Sequence, residues 1–439
     1  MGVFQQGLSG LNTSQKSLEV TANNVANANT VGFKTSKAQF GDVYASALSR
    51  ADAGLQVGGG VNLLAIKQEF RQGNVVATQN PLDLAISGNG FFKVKGQDGR
   101  EFLTRNGQFQ LDRDNTVVTA DGKDLLAFPL DPETGNVLDV ASPITISTEP
   151  IQPRATQNTE FRFNLDSRTQ PSAVAATFNP NDPNSYTQSS AIVINNQLGE
   201  PLTLQVFWQK VGPTTAPVAD PAPNQWRVHA TVNGELVNIR TEGAAAYPAP
   251  YAGAALGFNP NGQLNNPDAA VFEIDLGTFQ NGTALTPDFN SPNNTVRIDM
   301  RSSTQFGTEF QLQNLAQDGY DAADYVNFTI DQGGVMSLNY ANGQTRDIAK
   351  IGLFRFRNPE GLQPVGNNNW VATLQAGPEF ASNAGDAGFG LIQAGAVEEA
   401  NVDLTAELVQ MIATQRIYQA NSKSIQAQDT LLQTVTNLT

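Results

Sequence analysis

The chain of 439 residues contains no cysteine and one histidine, His229. Disulfides, thiolate zinc sites and cysteine nucleophiles are therefore excluded, and histidine-based metal or acid/base clusters nearly so. Any chemistry would have to rest on carboxylates. Missing cysteine leaves the compartment open, because a core of this size holds without disulfides. Charge is also scarce: 15% of residues are charged, and the formal net charge is -15. A nucleic-acid or anionic-membrane binder needs a cationic footprint, which this composition does not supply. Residues 1–80 carry six Lys/Arg against four Asp/Glu, leaving 20 against 37 for the remainder, so the basic part is the N-terminal part. No run of 18 or more apolar residues occurs, which excludes a helix that spans a bilayer. The start, MGVFQQGLSGLNTSQK, has its first charge at Lys16 and no continuous apolar core, so export by a cleaved signal peptide is not expected.

What is abundant is turn chemistry. With 39 Gly and 23 Pro, and hydrophobic residues at 40%, the middle of the chain reads as short strands and many turns. At a typical domain size of about 150 residues, the length suggests roughly three compact units.

The two ends read differently. Phe4, Leu11, Leu18 and Val25 recur every seventh residue, with Leu8 beside them, and draw a narrow apolar stripe along a helix that should end near Asn27, where Asn and Gly residues cluster. Val397, Leu404, Met411, Tyr418, Ile425 and Leu432 keep the same register at the other end, widened by Leu408, Ile412, Ile417, Leu431 and Val435. No Pro or Gly interrupts Ala396 to Thr439, which predicts a helix of about 38 residues with Asn401 as its N-cap. One such stripe is usually an ordinary core-facing face. Here there are two, at opposite termini, and the companion positions are small or polar: Gly7, Ser14 and Thr21, then Thr414, Asn421 and Gln428. The helices are expected to pair as a coiled-coil-like inner domain that packs mainly with copies of itself.

The fold class expected is mainly β with α-helical termini, with discontinuous β-domains nested between the two helices. Residues 1–30 and 396–439 form the inner domain, and 31–71 with 381–395 the connector, including the glycine-rich stretch 49–60. Residues 72–150 with 303–380 form a middle β-domain, and 151–302 an inserted distal β-domain. Hairpin turns punctuate the middle domain at Gln97–Gly99 and Asp112–Asn115. The Pro-rich stretch 142–153 reads as a linker.

Enzymatic readings are weak. His229 lies in a strand-like run, RVHATV, and reads as structural. Glu398 and Glu399 could be a carboxylate pair, but adjacent residues on a helix point apart, so a solvated helix start is expected. Gly88-Asn89-Gly90 is followed by a strand, not a helix, and is no dinucleotide fingerprint. The acidic turns near Asp112, Asp114 and Asp182 lack EF-hand spacing. No catalytic, metal or cofactor set is expected.

Three blocks carry a resemblance. SGLNTSQKSLEVTANNVANANTVGFK centres on Asn24, Ala26 and Asn27 and closes on Gly32, Phe33 and Lys34; QGNVVATQNPLDLAISGNGFFKV runs from Gln72 to Val94; EEANVDLTAELVQMIATQRIYQANSKSIQAQDTLLQTVTNL runs from Glu398 to Leu438. In this order and at these ends they resemble the bacterial flagellar rod and hook family. The insertion at about 151–302 favours its hook-forming members over a distal rod subunit, since rod subunits largely lack it. The resemblance implies a non-enzymatic structural subunit that polymerises with itself. It further implies neighbours among rod, hook cap and hook–filament junction proteins, and passage through the flagellar type III export apparatus to an extracellular position without signal-peptide cleavage. It implies neither nucleic acid nor membrane insertion. Layering follows as an expectation, with the helices innermost and the insertion outermost. An extracellular β-rich adhesin or carbohydrate-binding protein would explain the middle, yet gives no reason for sevenfold stripes at both ends. A glycosidase would need a carboxylate pair in a cleft, which the sequence cannot place.

Overall fold

The computed structural model describes residues 2–42, 60–131, 135–138, 140–171, 178–211, 224–244, 252–279 and 295–437. Most of the glycine-rich connector expected at 49–60 lies outside the described residues. The chain divides into two units, one of Met1–Ser147, Asn327–Asn339 and Thr345–Thr439, the other of Thr148–Val326 and Tyr340–Gln344.

In the first unit, helix α1 (Gly2–Ala26) stops where the sequence places Asn27. The Asn27 side chain turns back to donate to the Asn23 backbone and side-chain oxygens at 3.0 and 2.7 Å, an alternative to continuing the helix. Gly32 follows with φ +72°. A Cβ built there would sit 2.5 Å from the Asn106 backbone nitrogen, so only glycine allows the turn to close on the body. The chain then forms an antiparallel hairpin of β1 (Ser36–Asp42) and β2 (Val61–Gln68), with a register shift at Gln39/Phe40.

The return is strand by strand. Leu84–Ser87 pairs with Leu391–Ala394, and Val75–Ala77 pairs with Ala396–Glu398. Each early strand of the second sequence block thus lies against a strand that leads into the C-terminal block. Leu84, Ile86, Phe92, Val94, Leu125, Ile351, Leu353 and Ile392 are buried in this body. Phe91, Phe354 and Trp370 belong to an aromatic cluster that also takes in Phe70, just beyond β2, at 5.5 Å from Phe91 between ring centroids. The Trp370 indole donates to the Gln68 amide oxygen at 2.6 Å and fixes the hairpin's base.

Three expectations are corrected. The C-terminal helix α2 spans Leu404–Asn437, not the whole run from Ala396, because Ala396–Glu398 is a strand. Its cap is Asp403, whose carboxylate accepts the Thr405 and Ala406 amides at 3.0 and 3.1 Å. Asn401 is engaged elsewhere: it donates to the Glu69 and Arg71 carbonyls and accepts from the Thr35 amide at 2.7 Å. The third concerns the Pro-rich stretch, which starts as part of the body. Pro143 pairs opposite Leu126, and Ile144 and Ile146 are buried.

The second unit is built on a ten-stranded sheet. Gln188–Asn195, Pro201–Lys210 and Gln225–Val232 run antiparallel as successive neighbours, and Glu235–Thr241, Val271–Phe279 and Thr295–Asp299 continue the order. Asn158–Asp166 joins parallel to Thr295–Asp299 and antiparallel to Gln311–Gln317. Residues 303–317, expected in the middle domain, therefore belong to this sheet. Phe161, Phe163, Trp208, Trp226 and Phe272 fill its core. His229 is buried here, stacked on Phe178 with centroids 4.1 Å apart.

Candidate functional site

The feature that unites the sequence signals is the pair α1/α2 and the knot of hydrogen bonds at its base. The helices meet through their small and polar row. Ser14, Thr21 and Asn24 of α1 and Thr414 of α2 are buried. A Cβ at Gly7 would lie 3.0 Å from the Ile425 side chain, and one at Gly10 would lie 2.9 Å from that of Asn421. Glycines at these positions let the two helices approach closely. Ser14 and Thr414 donate within their own helices, to the Gly10 and Gln410 carbonyls at 2.8 Å each, so burying them leaves no hydroxyl donor unpaired.

Part of the apolar set nevertheless faces away from the seam. Leu8, Leu404, Leu408 and Tyr418 are exposed, as are Ile412, Ile417 and Leu431. Leu408 and Ile412 stand at 43% and 53% exposure on consecutive turns of α2. Leu11, Leu18, Val25, Met411 and Ile425 are half-buried. The side chains of Phe4 and Leu432 lie outside the described residues.

The signature residues sit at the base. Asn24 donates to the Ser36 carbonyl at 2.9 Å and to the Glu407 carboxylate at 3.2 Å, and accepts from the Ser36 amide at 3.0 Å. It therefore ties α1, β1 and α2 together. Ala26 is exposed and Phe33 half-buried. Lys34 is fully buried, and so is Glu398, which the sequence placed at a solvated helix start. The correction has a structural reason: Glu398 ends a strand, and its carboxylate is surrounded by donors. Lys34 Nζ donates to Oε1 at 2.6 Å and the Gly73 amide to the same oxygen at 2.9 Å, while Arg105 Nη1 donates to Oε2 at 3.0 Å. The Glu398 carbonyl accepts the Gly32 amide at 2.8 Å. Lys34 also donates to the Arg71 carbonyl at 2.8 Å, and Arg105 Nη2 to the Gly88 carbonyl at 2.8 Å. Burial pushes the Lys34 ammonium below the ordinary lysine range, against the pull of Glu398. A Cβ at Gly73 would lie 2.0 Å from the Glu399 carbonyl oxygen, which explains a glycine in the second block.

All three sequence blocks thus converge on one carboxylate. Sequence reasoning missed Glu398, Arg105, Thr35 and Asn401 as members of the knot. The available signal was that Lys34 and Glu398 bound two of the blocks, one positive and one negative.

Four family models match in order along the chain. They are described as flagella basal body rod protein (residues 4–34), flagellar hook protein FlgE/F/G D1 domain (85–161), flagellar basal body protein FlaE D2 domain (164–320) and flagellar basal body rod FlgEFG protein C-terminal (393–438). The flagellar hook protein FlgE of Salmonella typhimurium is 33% identical over 437 residues, covering 99% of each chain. The chain belongs to the flagellar hook protein family. That family is structural, not enzymatic, and this member is a hook structural subunit. The hook protein FlgE of Borreliella burgdorferi is 33% identical over 456 residues, covering all of this chain and 99% of its own. Among solved structures, the Helicobacter pylori flagellar hook protein FlgE2 shares the fold at a TM-score of 0.53 and 14% identity, over 72% of this chain and 99% of that one.

Proposed function

We propose that this hook subunit polymerises with copies of itself into a curved, flexible tube outside the cell that passes motor torque to the filament, with α1 and α2 forming the inner wall. The observation that carries this reading is the exposed apolar row of α2. Leucine and isoleucine side chains each gain about 1.5–3 kcal/mol when fully buried, and a regular row of them along a helix, left uncovered in a single chain, is a face awaiting another surface. The seam with α1 is a different face, made largely of small and polar residues. A subunit carrying two unlike faces makes heterologous contacts, which propagate as a helix and do not close into a dimer. The tube would join rod proteins at one end and meet the hook cap and hook–filament junction proteins at the other. The subunit would reach this position through the flagellar type III export apparatus, uncleaved.

The test uses Leu408→Asp and Ile412→Asp. Both residues are exposed in the single chain, so thermal unfolding of the monomer should stay within about 0.5 kcal/mol of wild type. In a polymer each substitution buries an unpaired carboxylate at every site, so sedimentation and electron microscopy should find no tubes. Tubes at wild-type yield from both variants would overturn the reading.

A further inference from the structure

The strand Glu379–Asn383 pairs with Gly352–Phe356, and among the described residues no strand pairs along its other edge. Together with the short helical turn Leu374–Ala376 just before it, it makes an exposed margin of the first unit. Leu374 stands there at 102% exposure. A loose loop would fold such a side chain back onto the protein, but this turn is clamped from beneath. Thr373 Oγ1 accepts the Gln375 amide at 3.2 Å and donates to the Gly361 carbonyl at 2.6 Å. Asn358 donates its amide to the Ala376 carbonyl and its side chain to the Gln375 carbonyl, at 3.1 Å each. Ala376 is fully buried, and a Cβ at Gly361 would lie 2.5 Å from its amide nitrogen, so the turn has no room to shift.

Farther along the same margin, Phe380 is 45% exposed. It lies opposite Arg355, whose guanidinium sits 6.0 Å from the Phe380 ring centroid and 5.0 Å from that of Phe389. Arg355 Nη1 donates to the Gly388 carbonyl at 3.2 Å, and among the described residues no acid pairs with it. A rigid apolar knob beside a stacked cation that lacks a counter-ion is the composition of an interface hot spot.

We propose that this margin is a second contact between copies of this chain, in which Leu374 and Phe380 bury against a neighbour and Arg355 meets one of the neighbour's carboxylates. The charge balance selects the occupant. With 41 acidic residues against 26 basic, two copies repel unless the surfaces that meet include a cation not already paired within its own chain. Arg355 supplies that cation, and the clamped turn supplies a side chain that only a hollow in another folded surface can cover. All these residues belong to the β body and none to the terminal helices. The contact rests on the reading that the subunit polymerises with itself, but not on the apolar row of α2.

The experiment places the photo-crosslinking residue p-benzoylphenylalanine at position 374 of the full chain and mixes it with isotope-labelled chains lacking it. Irradiated tubes should yield peptides that join position 374 to a labelled copy, and the unpolymerised mixture should yield none. Leu374→Asp should raise the subunit concentration at which tubes form by about tenfold or more, with monomer melting unchanged. Leu374→Met should assemble like wild type. Arg355→Met keeps an unbranched stem between the rings and removes the charge, and should raise that concentration about threefold. The contact is overturned if tubes give no copy-to-copy crosslink at position 374, or if Leu374→Asp polymerises at the wild-type concentration, as it would were the margin's partner the hook cap. It is equally overturned if Leu374→Met is as impaired as Leu374→Asp, or if Leu374→Asp lowers the monomer's melting temperature. Tubes of Arg355→Met at the wild-type concentration would overturn the charge pairing. Tubes formed by Leu408→Asp would sink the reading of the α2 row and leave the crosslink at position 374 in place, so the two fail separately.

Discussion

Where α1 meets α2, the buried side chains are Ser14, Thr21, Asn24 and Thr414; in the core of the second unit they are Phe161, Phe163, Trp208, Trp226 and Phe272. The second unit packs a large aromatic and aliphatic core of its own. The helix pair hides hydroxyls, an amide and glycines while leaving Leu404, Leu408, Ile412 and Ile417 exposed. On the proposed reading, the contrast separates a segment that folds for its own sake from one shaped for a contact with a neighbouring copy. Apolar burial dominates stability, so the second unit should melt as a firm unit, whereas the pair relies on close approach along its small residues and on hydrogen bonds at its base.

The comparison can be broken most forcefully in the second unit. Trp208→Ala removes a fully buried indole with Phe163 at 4.6 Å between ring centroids, and should lower that unit's stability by about 3–5 kcal/mol. Calorimetry should show the loss, while hydrogen exchange in α2 stays as in wild type; an unchanged melt would mean that the core is not what holds this sheet. Next in size is Gly10→Leu, which drives a side chain into Asn421. It should cost the helix pair about 1–3 kcal/mol by overpacking, read as faster exchange in α1 and α2 with the second unit's melting unmoved. A coupled drop in both would erase the distinction between the regions. The smallest is Asp403→Ala. Loss of the cap should cost about 1 kcal/mol, seen as fraying of the first turn of α2, and exchange at Thr405 and Ala406 is the place to look.

Much of this arrangement was legible because it is local. Asn27 ends α1, the glycine and asparagine turns punctuate the hairpins, and the sevenfold rows mark both helices. What was not legible depends on partners far away in the chain. Asn401 and Asp403 are equally good caps by type, and only the Thr35, Glu69 and Arg71 backbone groups decide between them. Glu398 reads as solvated beside Glu399 until Lys34 and Arg105 are brought to it. Residues 303–317 alternate like the hairpins that follow them, and their pairing with Asn158–Asp166 has no sequence mark. The helix pairing was expected, but not which row would make the seam. The sevenfold row drew attention to its large apolar side chains, but the positions that close the pair are the small ones beside it.

The strand pairing also sets the tempo of folding. In the first unit Ala77 waits for Ala396, and in the second Asn158 waits for Arg297 and Thr159 for Gln317. Contacts between residues so far apart along the chain close large loops, and such topologies reach their native state slowly compared with locally wired ones. As the polypeptide emerges from its N-terminal end, the β1/β2 hairpin has both its strands early, whereas Val75–Ala77 and Leu84–Ser87 wait for residues 391–398. The wiring that joins the two ends therefore delays completion of the first unit until its last strands are made.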